Sequence, residues 1–208
     1  MQLPDDRATG AEQTFSVRTP GAHDLAEIAG LFVDAFSGHP IAAMPTHLRK
    51  RFIAAHIAEG LALVACDGST GRVLGFTIAG RRSELDRARR RFILANVLHL
   101  AYHALLPKGR ALRVRRKASR SEHASPCTDY ELRYIAVSAF ARGRGVGSEL
   151  LRALEAGALG NRPYYAWVLA ERPATLQFYY RHGFGKEFQA DGHLRLVKMP
   201  GAPRAYRP

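Results

Sequence analysis

The residues best suited to chemistry in this 208-residue chain form the run RGRGVG, Arg142 to Gly147. The run follows an apolar stretch at 132–137 and precedes an amphipathic stretch that begins near Gly147. A strand, a glycine-rich turn and a helix in this order bring backbone N–H groups together, where they bind an anion. Glycine permits the close approach and the positive φ that such a turn needs. The run therefore predicts a pyrophosphate site, with a ligand-free basic surface turn as the alternative.

Two common nucleotide-binding motifs do not fit this run. A P-loop ends in Gly-Lys followed by Ser or Thr, whereas Gly147 is followed by Ser148 and Glu149. A dinucleotide fingerprint needs Gly or Ala at the position of Ser148 and an acidic residue about 20 residues further on. The stretch 164–170 reads YYAWVLA and offers no such acid. The predicted anion site therefore belongs to neither of these two folds.

Composition limits the class of protein. A hydrophobic content of 47% in 208 residues is enough for the core of one domain. No apolar run reaches the length of a membrane span, and the first residues do not read as a secretion signal. Two cysteines, Cys66 and Cys127, make neither a disulfide framework nor a zinc site, so we expect a cytoplasmic protein without a metal.

Positive charge is concentrated in one segment of the chain. The formal net charge is +13, and residues 81–120 contain 13 Lys or Arg against two acids, Glu84 and Asp86. The remainder is close to neutral, so the whole surface is not of the kind that coats nucleic acid. The sequence predicts one domain at 14–199, with a basic insert at 81–125 and loose tails at 1–13 and 200–208.

Apolar periodicity and turn residues predict seven strands and five helices. The strands are expected at residues 15–18, 61–66, 72–79, 130–137, 164–170, 184–189 and 193–199, and the helices at 23–36, 46–59, 84–106, 147–159 and 173–182.

A second motif, LQFYYRHGF, follows the first after one intervening strand. Together the two motifs resemble the GNAT superfamily of acyl-CoA-dependent N-acetyltransferases. Arg142, Gly145 and Gly147 match the first motif of that family, and Tyr179 and Gly183-Phe184 match the second. The resemblance spans roughly residues 14–199. It implies an α/β (α+β) fold: a central, mixed, mostly antiparallel sheet of six to seven strands, flanked by helices, with a basic helical insert before the fourth strand.

The resemblance implies acetyl-CoA as co-substrate, and an amine that attacks it directly in a ternary complex. The turn would hold the pyrophosphate, and the fourth strand would bind the pantetheine and polarise the acetyl carbonyl. The implied CoA-binding residues are Ile135, Ala136, Val137, Arg142, Gly143, Arg144, Gly145, Val146, Gly147 and Ser148. One position departs from the family pattern, because Arg172 stands where an Asn is common at the start of the last helix.

Two residues are the catalytic candidates that the resemblance implies. Tyr179 matches the general acid that protonates the leaving thiolate, with a core tyrosine as the alternative. Glu131 lies where some family members keep a carboxylate base, with a strand-end surface carboxylate or an Arg133 partner as the alternative. Strand alternation puts Glu131 on the same face as Ile135 until a bulge intervenes. His39 lies in the loop that lines the acceptor site in this fold.

The basic insert allows four interpretations: a solvated lid, a wall that binds anionic acceptors, an RNA-binding element, or an amphipathic surface for a membrane or a partner chain. We expect a small-molecule amine acceptor, an anionic metabolite or an amino sugar. Acetylation of aminoacyl-tRNA or protein amines is the second hypothesis, and a non-catalytic acyl-CoA sensor is the third. A homodimer is also compatible with the sequence.

Overall fold

The computed structural model describes residues 15–105, 128–157 and 159–201. The α-helices and strands in these ranges are β1 (Phe15–Arg18), α1 (Leu25–Ala35), α2 (Thr46–Glu59), β2 (Leu61–Asp67), β3 (Val73–Arg81), α3 (Arg82–Ala95), α4 (Val97–Leu105), β4 (Tyr130–Val137), α5 (Val146–Ala156), β5 (Tyr164–Leu169), α6 (Pro173–Arg181), β6 (Phe184–Ala190) and β7 (His193–Lys198). The tail predicted at 1–13, most of the tail at 200–208 and the second half of the insert lie outside the described residues.

The seven described strands form one sheet in the order β1-β2-β3-β4-β5-β7-β6. Every neighbouring pair is antiparallel except β4 and β5, which are parallel. The predicted mixed, mostly antiparallel sheet is therefore confirmed.

The parallel pair opens into a fork. β4 pairs with β5 only along Tyr130–Leu132, opposite Tyr164–Ala166. Beyond Leu132, β4 continues to Val137 paired with β3 alone. The two strands therefore separate toward their carboxyl ends, and the second half of β4 presents an unpaired backbone edge to the fork.

A bulge at Arg133 changes which side chains share a face of β4. Tyr134 lies opposite Ile78 and Leu132 lies opposite Ala79, so Arg133 is the extra residue on β4. Glu131 therefore shares a face with Tyr134 and not with Ile135. The alternation expected from the sequence fails at this position because it requires an uninterrupted period of two.

The sheet buries a core on each face. One core joins α1, α2 and α3 to the face that carries Phe76, Ile78 and Tyr134. The other face carries Leu132 and packs against α5 and α6 through Leu154 and Tyr179. Glu131 and Tyr179 consequently belong to opposite faces of the sheet.

The helix predicted at 84–106 is two helices. α3 ends at Ala95, and the buried Asn96 separates it from α4. The Asn96 amide donates to the Phe92 carbonyl oxygen (2.8 Å) and accepts from Arg51 (3.0 Å). An asparagine side chain that bonds to the backbone in this way competes with the helical hydrogen bonds, so the helix breaks.

The first helix of the insert is part of the core and is not a solvated lid. Leu85, Ala88 and Phe92 of α3 are almost fully buried. The ring of Phe92 packs edge-on against that of Phe52 on α2, with 5.3 Å between the centroids. α3 therefore fixes the position of the charged side chains that it carries beside β4.

Candidate functional site

The glycine turn has the backbone conformation predicted for it. Gly143 and Gly145 have φ values of +77° and +79°, in the left-handed region that glycine occupies without strain. α5 begins directly after Gly145, one residue earlier than expected. The Glu149 N–H donates to the Gly145 carbonyl oxygen (2.9 Å) and so closes the first turn of α5.

The start of α5 is suited to bind an anion. The N–H groups of the first helical residues, Val146, Gly147 and Ser148, have no acceptor within a helix. The partial positive charge of the helix end favours a negative group at the same place. Arg142 is exposed beside these donors, whereas the Arg144 guanidinium folds back onto the Phe140 carbonyl oxygen (3.3 Å).

Gly147 places this turn at the open end of the fork. A Cβ atom at Gly147 would lie 3.2 Å from the ring of Phe178 on α6 and 3.5 Å from Val137 at the end of β4. The start of α5, the helix α6 and the end of β4 therefore come together at Gly147, where there is little room for a side chain.

Backbone groups of β4 point into the fork. The Ser138 N–H donates to the Leu74 carbonyl oxygen on β3 (2.8 Å). The directions of the backbone N–H and C=O groups alternate along a strand. Those of Ala136 therefore also point to β3, while those of Ile135 and Val137 point to the fork.

A surface depression of about 440 Å³ adjoins the turn. It is lined by the exposed side of α5 and the end of α6, among them Ser148, Arg152 and Arg181. Arg152 is paired with Glu149 one turn earlier. Arg152 and Arg181 are not among the residues predicted from the sequence; their place on the two helices that flank the turn is the signal that could have found them.

Tyr179 is buried on the α5–α6 side of the sheet, with 5% of its surface exposed. Its ring packs edge-on against Phe184, with 4.9 Å between the centroids. Burial raises the pKa of Tyr179 above its ordinary value, because the charged phenolate is poorly solvated there. The phenol is therefore protonated at neutral pH.

Glu131 is buried on the other face and is ion-paired. Its Oε2 atom accepts from Arg133 Nη2 (2.7 Å) and from the Tyr165 hydroxyl (3.3 Å). The same Arg133 atom lies 3.1 Å from Asp86 Oδ1 on α3. The bulge makes this arrangement, since it turns Arg133 toward both carboxylates. Glu131 is thus not a surface carboxylate, and it is the partner of Arg133.

Further polar residues extend this cluster across β5. The Arg195 guanidinium lies over the ring of Tyr165, with 4.2 Å from its central carbon to the centroid. Arg195 also contacts Glu187 (2.8 Å) and Thr128 (3.0 Å), and only 2% of it is exposed. Sequence reasoning missed this connection, because its members come from strands far apart in the chain.

His39 lies among aromatic rings on the same face as Glu131. Its Nδ1 atom accepts from the Ile41 N–H (3.2 Å), and its Nε2 atom lies 3.5 Å from the Tyr134 hydroxyl oxygen. Burial, with smaller effects from His56, Arg89 and other charges, lowers the pKa of His39 to about 4. The ring is therefore neutral, and its Nε2 carries the proton that faces Tyr134.

His56 is a second neutral histidine beside Tyr134. The side chain is fully buried, and its Nδ1 atom donates to the Phe52 carbonyl oxygen (2.8 Å). Its Nε2 atom has no hydrogen-bond partner in the described part of the chain. Burial lowers the pKa of His56 to about 4.

The low pKa of His56 predicts a loss of stability in acid. An unfolded histidine has a pKa of about 6.5, so between pH 6.5 and 4 the unfolded chain binds more protons than the folded chain. The free energy of unfolding should then fall as the pH falls, by about 1.5 kcal/mol from His56 alone between pH 6.5 and 5. His56→Asn keeps a donor for Phe52 and removes the titration. Urea unfolding at both pH values should show a smaller fall for this variant; an equal fall in both proteins would contradict the assignment.

Within residues 15–105, 128–157 and 159–201, no group of three or more His, Cys, Asp or Glu side chains is arranged to hold a metal ion. None of the helices in those ranges combines the length and the apolar character of a membrane span.

Solved structures share this fold. An N-acetyltransferase from Staphylococcus aureus is 18% identical with a TM-score of 0.59, over 88% of this chain and 98% of that one. A histone acetyltransferase HPA2-related protein from Corynebacterium glutamicum is 23% identical with a TM-score of 0.57, over 92% and 99%. PaiA N-acetyltransferase from Thermoplasma acidophilum, solved with coenzyme A, is 12% identical with a TM-score of 0.55, over 89% and 99%.

The search of curated proteins finds no match. Residues 113–186, which include β4, the glycine turn and the Tyr179 motif, match the family model described as Acetyltransferase (GNAT) domain. Residues 113–186 therefore carry the match to a GNAT acetyltransferase domain, and the described residues have the fold of solved acetyltransferases.

Proposed function

We propose that this chain transfers the acetyl group of acetyl-CoA to a primary amine, by direct attack of the amine within a ternary complex. The observation that carries the proposal is the position of the turn, Arg142–Ser148, at the open end of the β4–β5 fork. An anion site and an unpaired strand edge side by side suit a ligand that joins a pyrophosphate to an amide-rich arm.

The donor is bound by backbone groups. The pyrophosphate oxygens accept hydrogen bonds from the backbone N–H groups of Gly143 to Ser148, and Arg142 adds a positive charge. The pantetheine arm lies in the fork and forms hydrogen bonds with the backbone N–H and C=O groups of Ile135 and Val137. The backbone of Ala136 forms its hydrogen bonds with β3. An N–H of this edge polarises the acetyl carbonyl and stabilises the oxyanion that forms when the amine attacks.

The two proposed catalytic side chains lie on opposite faces of the sheet. Glu131, which is paired with Arg133, accepts a proton from the attacking amine. Tyr179, kept protonated by burial, donates a proton to the sulfur as the C–S bond breaks. One proton is taken up and one is released, so the enzyme returns to its starting state once both groups have exchanged protons with water.

Glu131→Gln should lower kcat/KM by about 100-fold and leave the acetyl-CoA Kd unchanged, because the amide cannot accept the proton. Asp86→Asn is the matched control, since it removes the other carboxylate partner of Arg133 and leaves Glu131 in place. The measurement is the pH profile of kcat/KM. Loss of the acidic limb only in Glu131→Gln supports the role; an unchanged profile would assign Glu131 to structure alone.

The acceptor that suits this site is small and carries a negative or polar group beside its amine. Arg89 of α3 makes no ion pair among the described residues, and its charge contributes to the lowered pKa values of His39 and His56. The surroundings of Tyr134 are thus aromatic and cationic, which favours an anionic metabolite or an amino sugar. The buried free thiol of Cys66 suits a reducing compartment, and we place the reaction in the cytoplasm.

Aminoacyl-tRNA remains the second candidate acceptor. The basic residues that would bind it, Arg113, Arg115, Arg116 and Lys117, lie outside the described residues. Weaker activity at high salt, specific to an RNA acceptor, would favour this candidate over a small amine.

A further inference from the structure

Exposed aliphatic side chains are concentrated where α3 meets α4. Leu94, Val97 and Leu98 are 75%, 55% and 80% exposed. Among the described residues, the large apolar side chains exposed elsewhere are Phe140 and Met199. Single exposed apolar residues are ordinary, but a cluster of this kind indicates an interaction surface.

Arginines border the same cluster. Arg90 is one helical turn before Leu94 and makes no ion pair with any described residue. Arg87 and Arg91 lie on this side of α3 and share one carboxylate, that of Glu59. We call this surface the α3–α4 face; its members are Arg87, Arg90, Arg91, Leu94, Val97 and Leu98.

We propose that the α3–α4 face docks on an anionic lipid surface. The aliphatic side chains enter the boundary between headgroups and acyl chains, and the guanidinium groups stay at the headgroup level. Each basic residue near an anionic membrane contributes about 1 kcal/mol of attraction. The proposal goes beyond acetyl transfer and does not depend on it.

Charge argues for this partner over a second copy of the chain. The formal net charge of the chain is +13, and part of this excess lies in residues 106–127, which contain seven Lys or Arg against one Glu. Bringing two such surfaces together would be repulsive, whereas an anionic lipid surface attracts them. RNA is a less suitable partner for this face. Proteins bind unpaired bases by stacking them on aromatic rings, whereas the exposed apolar side chains of this face are aliphatic.

Docking would affect which acceptors can reach the enzyme. α3 also carries Asp86, which contacts Arg133 beside Glu131. The α3–α4 face thus belongs to the helix that flanks the proposed acceptor side of the sheet.

Co-sedimentation of the full chain with phosphatidylcholine vesicles, with and without phosphatidylglycerol, tests the proposal. We expect binding to the anionic vesicles and at least about tenfold weaker partitioning for the double variant Leu94→Asp, Leu98→Asp. Arg90→Gln should weaken it by about fivefold. Met199→Asp, which changes an exposed apolar residue elsewhere, is the matched control and should bind as the wild type does.

An unchanged acetyl-CoA Kd shows that the double variant is folded, so loss of vesicle binding is then specific to the face. Equal binding of wild type to neutral and anionic vesicles, or unchanged binding by the double variant, would overturn the proposal. A wild-type dimer that the double variant converts to monomers, without vesicle binding, would assign the face to a second copy. Binding to tRNA in place of vesicles, lost in the double variant, would assign it to RNA.

Discussion

Gly145→Asp is expected to weaken acetyl-CoA binding by at least about 100-fold. Gly145 precedes α5 with φ +79°, and nothing lies within 4 Å of an added Cβ atom. The carboxylate of an aspartate at this position lies beside the free N–H groups in the first turn of α5. It therefore competes with the pyrophosphate for their hydrogen bonds. Its charge also repels a pyrophosphate. An aspartate in this left-handed backbone costs about 1–2 kcal/mol.

Gly71→Asp separates these effects from general damage. Gly71 lies in the β2–β3 turn with φ +70° and is equally unhindered. This variant adds the same side chain, charge and backbone strain away from the fork. Calorimetric titration with acetyl-CoA should show near wild-type affinity for Gly71→Asp. Normal binding by Gly145→Asp would refute the assignment of the turn.

Tyr179→Phe is expected to lower kcat by about 100-fold or more while the acetyl-CoA Kd stays the same. The phenylalanine keeps the packing against Phe184 and removes only the hydroxyl that we propose as the proton donor. The loss should fall on the step in which the thiolate leaves, so the effect should shrink with an acyl donor whose thiol has a lower pKa.

Tyr180→Phe on the same helix is the control. Tyr180 is the next residue along α6 and therefore points about 100° away around the helix axis. Steady-state kinetics should show little change in this variant. Equal losses in both variants would point to a role of the hydroxyls in packing, and an unchanged kcat in Tyr179→Phe would remove Tyr179 from the mechanism.

Much of the fold is local enough to be predicted from the sequence. The bounds expected for β1, α2 and β4 are those observed, because each ends at glycine, proline or polar residues. The positive φ of Gly143 and Gly145 also follows from residue type. A glycine-rich turn between a strand and a helix is a local feature, which is why its backbone conformation follows from the sequence.

Other features depend on contacts that a sequence pattern does not reveal. The bulge at Arg133 results from the pairing of β4 with β3, and it moves Glu131 to the face opposite the one that carries Ile135. The break at Asn96 involves Arg51, 45 residues earlier. Burial of α3 against Phe52 is also long-range, so a basic helix that looked solvated supplies part of the core.

Acetyl transfer itself is the most direct test of the central claim. The purified chain is incubated with acetyl-CoA and a panel of primary amines that includes phosphorylated metabolites, amino sugars and aminoacyl-tRNA. Free thiol and acetylated amine are measured in each reaction, beside Gly145→Asp. We expect at least one amine to yield thiol and acetylated product in equal amounts, with no product from Gly145→Asp. If the chain binds acetyl-CoA and no amine releases thiol above spontaneous hydrolysis, the domain binds acyl-CoA without turnover and the proposed function is contradicted.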